Sequence, residues 1–202
     1  MTVCIAARCG GGFIIGAADR MLTSGDIQFQ PESSKIIPIT TSIVAMIAGD
    51  ASLQAEIVQR VATDVNARIH SEPDNWWAVA DVAELYYKYY TQVRFKLAEG
   101  VLLAPLGLTA ETFFEKQKVL DTELVRQIAT ELINHEIPDV EAICCGTDPS
   151  GSHIYIVGKE GINCQDFVGF ASIRRICFHR NWYGSCQFPV HVRSPHLLKS
   201  CY

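Results

Sequence analysis

The chain has 202 residues, of which 49% are hydrophobic, and its 17 Lys and Arg against 22 Asp and Glu give a formal net charge of −5. That content supports one domain with a sizeable core. The acidic balance argues against nucleic-acid binding, which leans on a basic face, and no apolar run is long enough to cross a bilayer. With no signal-peptide pattern ahead of Thr2, the expected location is the cytoplasm, where the eight cysteines stay reduced.

Thr2 opens the strand-like run Thr2-Val3-Cys4-Ile5-Ala6-Ala7-Arg8. Once Met1 is removed it carries a hydroxyl nucleophile and an α-amine on adjacent carbons, and that amine, of pKa roughly 7.7 to 8.0, can serve as its own base. A glycine turn, Gly10-Gly11-Gly12, leads into a second strand, Phe13 to Ala18, expected to be mostly buried and to end at Asp19-Arg20. Lys35 precedes the apolar run Ile36-Ile37-Pro38-Ile39, and Ser42 to Ala48 gives a further strand before Gly49-Asp50-Ala51-Ser52. Four strands are therefore expected before the first helix.

Apolar positions Leu53, Ile57, Val58, Val61, Val65 and Ile69 recur at three and four, which predicts an amphipathic helix over 51–70. A second helix is expected from about Trp76 to Leu97; its Tyr86-Tyr87 and Tyr89-Tyr90 pairs read as packing on a sheet rather than as base stacking. Residues 98–120 read as an insertion rich in apolar side chains, either a loop gripping substrate or, preferred, an oligomer contact. A short helix over Leu120 to His135 follows, then a hairpin in which Val140 to Gly146 and His153 to Val157 flank the turn 147–152. Cys144 and Cys145 fall on its first strand as core residues.

Thr2 at the head of the first strand, Ala17-Ala18-Asp19-Arg20 with Thr23 and Gly25 after it, Ser34-Lys35, and Ile47-Ala48-Gly49 leading into a helix together resemble the proteasome β-subunit and HslV-like family of N-terminal nucleophile hydrolases. The resemblance covers residues 2–70 well and 140–173 loosely. Thr2 to Asp19 is one residue longer than the family pattern, an addition placed in the glycine turn. It implies an α+β fold, the αββα sandwich of antiparallel sheets flanked by helices, incomplete at the C-terminus. Thr2 is then the nucleophile, Lys35 and Asp19 the charge pair beside it, and the Gly49 N–H the oxyanion donor. Thr23 is expected to hold an extended peptide backbone, and Leu22, Ser33, Ile47 and Ala51 to line an apolar specificity pocket. The function implied is a threonine endopeptidase in a homo-oligomeric double ring, with an ATP-dependent unfoldase as partner and no cofactor or metal.

The pattern breaks at Arg174. Where the resemblance calls for a glycine-serine-glycine turn and a helix, residues 174–202 carry Arg174, Arg175, Arg180, Arg193 and Lys199 with no Asp or Glu, and they read like an out-of-frame ending. Cys177, His179, Cys186, His191, His196 and Cys201 match no zinc spacing. The organisation expected is thus a hydrolase domain over 1–173 and an atypical basic tail. Without the family's supporting residues, which Asp166 and Ser172 are not positioned to replace, two alternatives stand beside the peptidase: a small-molecule amidase of the same class, and a non-catalytic ring or scaffold subunit.

Overall fold

A computed structural model describes residues 2–24, 27–30 and 34–175 as a mixed α+β fold with antiparallel sheets. Six strands come first: β1 (Thr2–Arg8), β2 (Ile14–Ala18), β3 (Leu22–Ser24), β4 (Ile27–Phe29), β5 (Ile36–Pro38) and β6 (Ile43–Gly49). Helices α1 (Ala51–Ser71), α2 (Val79–Leu102), α3 (Ala110–Lys116) and α4 (Thr122–Asn134) follow, and then β7 (Val140–Asp148), β8 (Gly151–Gly158), β9 (Gly161–Cys164) and β10 (Phe170–Arg175). The strands form a three-stranded sheet β10-β1-β2, a β3-β4 hairpin and a five-stranded sheet β5-β6-β7-β8-β9.

Burial sets these as layers. Cys4 and Ala6 of β1, Ala171 and Ile173 of β10, and Met46, Ile143, Cys145 and Ile154 pack between the two larger sheets. The opposite face of the five-stranded sheet takes Ile57, Val61 and Val65 of α1 and Val82, Tyr86, Tyr90 and Val93 of α2. Each such side chain, fully buried, contributes about 1.5–3 kcal/mol. β7 is buried on both faces, so its core sequence is a continuous apolar run rather than an alternating one. Cys144 and Cys145 lie there as expected, their thiols pushed up by burial to about 12 and about 11.

Asp50 starts α1 by accepting hydrogen bonds from the Ser52 and Leu53 N–H groups. α2 lacks a local cap; Asp148, on β7, accepts from Val79 N at 3.0 Å. That distant cap accounts for a helix starting three residues after Trp76.

Three expectations are corrected. Six strands rather than four precede the first helix, the β3–β4 hairpin being the addition. β2 is not mostly buried: it is an edge strand, and Phe13 and Ile15 are 69% and 63% exposed. Only its inner face is covered, with Gly16 against Met46. Within residues 98–120 the substrate-gripping loop, the alternative to the preferred oligomer contact, gives way to the end of α2, a 3-10 turn at Ala104–Leu106 and α3, with Leu103 and Phe113 buried against Ile128 of α4. Among the described residues no single helix is long and apolar enough to cross a membrane. The tail from residue 176, with its Cys and His residues, lies outside the described part.

Candidate active site

Strand pairing brings the first two candidates together. Cys4 pairs with Ala18 in the antiparallel β1–β2 register, which lays Asp19 beside Val3. The Asp19 N–H donates to the Val3 carbonyl at 3.0 Å, and the Val3 N–H donates back to Asp19 Oδ1 at 2.7 Å. Lys35 enters from the other sheet, held at the head of β5 by its carbonyl, which accepts from Ile47 N at 3.0 Å. The site therefore sits where the ends of the two sheets meet.

The Lys35 side chain is 8% exposed, and burial of a charge is costly unless it is compensated. An ammonium has three protons and no acceptor. Here Nζ lies 3.0 Å from Thr2 Oγ1, 3.0 and 3.1 Å from the two Asp19 oxygens, and 2.7 Å from the Met21 carbonyl oxygen. Three partner groups thus match three donors. Because Lys35 can only donate, Thr2 Oγ1 accepts from it through a lone pair, and the threonine's own proton stays available to a base.

Asp19 completes the network by also accepting from Met21 N at 3.0 Å. Burial alone would raise its carboxyl; the hydrogen bonds from Val3, Lys35 and Met21 outweigh that and hold it below the ordinary carboxylate value. The carboxylate stays charged and fixes the lysine. Cys4, next to this group, has its thiol pushed up by burial to about 11, so the neutral form prevails at this depth.

The remaining candidates are less closely joined. Gly49 ends β6 with φ of 110°, and a Cβ there would meet the Asp139 carbonyl oxygen at 1.9 Å, so backbone packing alone already demands glycine. Ile47 is half-buried on β6 and Ala51 is the exposed first residue of α1. Leu22, half-buried, and Thr23 lie on β3, with the Thr23 backbone opposite Gln28. Ser33 lies outside the described residues. The sequence reading missed the Met21 carbonyl and the Val3 N–H, which are main-chain groups and carry no residue-type signal.

Asp166 and Ser172 do not reach this site. Ser172 pairs with Ile5, and Asp166 lies beyond the Arg8 end of β1, bound to His153 Nδ1 at 2.5 Å and to Ile154 N at 2.9 Å. Opposite Thr2 the register places the Arg175 backbone. Among the described residues no group of three or more His, Cys, Asp or Glu is placed to hold a metal ion. Comparison of the chain with protein families, and with curated proteins, found no match in either case.

Proposed function

We propose that this chain is a threonine-type endopeptidase of the N-terminal nucleophile class, similar to proteasome β-subunits, with Thr2 as its mature N-terminus. The observation that carries the reading is the Lys35 ammonium 3.0 Å from Thr2 Oγ1, itself held by Asp19. In this reading the α+β layers are the αββα sandwich of that class, with α1 and α2 as one outer layer.

The free α-amine takes the hydroxyl proton as Oγ1 bonds to the peptide carbonyl carbon. Lys35 stabilises the oxygen as negative charge grows on it. The tetrahedral intermediate collapses as its C–N bond breaks, the α-ammonium protonates the departing amine, and an ester to Thr2 remains. Water, deprotonated by the same α-amine, then adds to the ester carbonyl and releases the acid with Oγ1 reprotonated. By resemblance, the Gly49 N–H faces the oxyanion, Thr23 binds the peptide backbone, and Leu22, Ser33, Ile47 and Ala51 form the apolar pocket. A homo-oligomeric ring in the cytoplasm, fed by an ATP-dependent unfoldase, would enclose such a site; no cofactor is required.

A second reading, a non-catalytic ring subunit, is favoured by the break in pattern from Arg174 onward; a small-molecule amidase would share the Thr2 chemistry. Cleavage of fluorogenic peptides separates the peptidase from the other two. The peptidase reading predicts turnover by the native chain that falls to background in Thr2→Ala, while Thr2→Ser, which keeps hydroxyl and amine, retains activity. Equal rates in native chain and Thr2→Ala overturn it.

A further inference from the structure

On α1 a glutamine, Gln54, precedes the aliphatic stripe of Ile57, Val58, Val61 and Val65, and it is as deeply buried as they are. A buried amide is costly unless each of its groups is paired. The two Nε2 protons go to the carbonyls of Ala48 on β6, at 2.8 Å, and of Glu141 on β7, at 2.9 Å, and Oε1 accepts from the buried Tyr86 hydroxyl of α2. An aliphatic side chain would fill the same space, so what distinguishes this residue is what it bonds to.

The Ala48 carbonyl belongs to the same peptide unit as the Gly49 N–H. Among the described residues no peptide bond is cis, and in a trans unit the carbonyl and the N–H point in opposite directions. Gln54 sits over the seam where Ala48 of β6 pairs with Glu141 of β7, so the Ala48 carbonyl faces the β7 side and the Gly49 N–H faces the other edge of β6. That edge is the one Lys35 occupies, since Ile47 N, two residues earlier in the strand, donates to the Lys35 carbonyl at 3.0 Å. The main chain beyond is pinned as well. Asp50 N donates to the Asp139 carbonyl at 2.9 Å, and Gln54 N donates to the Asp50 carbonyl at 3.0 Å.

We propose that Gln54 is a positioning residue for the oxyanion donor: its hydrogen bond to the Ala48 carbonyl fixes the plane of the Ala48–Gly49 peptide and polarises it, with Tyr86 holding the Gln54 amide in place. The inference rests on the peptidase reading, in which the Gly49 N–H is that donor. A hydrogen bond at a peptide oxygen draws electron density from the nitrogen and makes its N–H a stronger donor, and hydrogen bonds in series reinforce one another by about 10–30% each. The series here runs from the Tyr86 hydroxyl through the Gln54 amide and the Ala48–Gly49 peptide to the substrate oxygen. Charge appears on that oxygen only as the tetrahedral intermediate forms, so the gain falls on the transition state and not on the bound substrate.

Peptide cleavage by the full-length chain tests it, with rates expressed per active site titrated by a peptide epoxyketone. Gln54→Met, of similar shape and without donors, is expected to lower kcat about tenfold at unchanged KM, less than the hundredfold or more that loss of an oxyanion donor itself costs. The Ki of a peptide boronate, whose tetrahedral adduct carries an oxygen at the oxyanion position, is expected to rise by the same factor. Tyr86→Phe, which keeps the Gln54 amide, is expected to lower kcat about two- to threefold and decides the question if Gln54→Met does not fold. Val65→Ala, a buried truncation about three turns further along α1, is expected to destabilise the chain and leave kcat per site unchanged. Native kcat in a folded Gln54→Met, or in Tyr86→Phe where only that variant folds, overturns the role of Gln54 and leaves the peptidase reading standing. So does a loss confined to KM, or an equal loss of kcat in Val65→Ala. A native chain with no Thr2-dependent cleavage overturns both.

Discussion

Lys35 and Asp19 depend on each other unequally, and the inequality makes separable predictions. Replacing Asp19 by Ala leaves a buried ammonium with only neutral partners, a destabilisation of about 3 kcal/mol, at the low end for buried pairs because the Asp19 side chain is 29% exposed. Urea titration reads that loss. Lys35→Met leaves a carboxylate that still accepts from Val3 and Met21 N–H groups. Peptide cleavage is expected to fall about a hundredfold or more while the urea midpoint shifts little; a variant that unfolds, or one that cleaves normally, contradicts this. The grouping of Thr2, Asp19 and Lys35 was legible in the sequence because each has a side-chain chemistry that the proposed reaction would need. Met21 was not legible, because its contribution is a carbonyl oxygen that any residue possesses.

Within the elements, the long periodic segments read well and the short ones did not. α1 covers Ala51–Ser71 against an expected 51–70, since a stripe of aliphatics over five turns leaves one face to bury. The three-residue strands β3 and β4 are too short to show a period, and α3 is two turns long. Gln54 was also missed. It is 1% exposed, its amide donates to the Ala48 and Glu141 carbonyls at 2.8 and 2.9 Å, and its oxygen accepts from the buried Tyr86 hydroxyl, joining α1, α2 and the sheet. A polar residue inside an apolar stripe is visible in sequence; its partners 32 and 87 residues away are not. Gln54→Leu leaves those buried groups unsatisfied, and a loss of about 2–3 kcal/mol is expected by urea titration. At Gly49, alanine must adopt φ of 110° and push back Asp139, so Gly49→Ala is expected to cost at least about 2 kcal/mol by the same measurement.

Across the whole molecule, the α+β class was implied by the resemblance and agrees with the order of strands and helices, but which faces stay uncovered was not legible. β2 reads as apolar, yet its outward side chains meet solvent because, among the described residues, nothing packs on that face of the three-stranded sheet. Alternation along a strand says which residues share a face, not whether a further layer exists.

Acid stability is a property at this scale too. At Asp19, Asp50, Asp148 and Asp166 burial alone would raise the carboxyl, and the hydrogen bonds each receives outweigh it, so all four lie below the ordinary 3.8. A group lowered in the folded state adds stability that is present above its unfolded value and is lost as pH falls through the folded one. Melting temperature is therefore expected to hold down to about pH 4 and to drop below it; a flat profile to lower pH contradicts the assignment.

The central claim is that Thr2, as a free N-terminus beside Lys35, is a nucleophile, and reaction with a peptide epoxyketone tests it most directly because the adduct needs both the hydroxyl and the α-amine. Mass spectrometry of the treated native chain is predicted to show Met1 absent and one inhibitor bound at Thr2, with no adduct in Thr2→Ala. A chain that retains Met1 and stays unmodified at Thr2 would contradict the account.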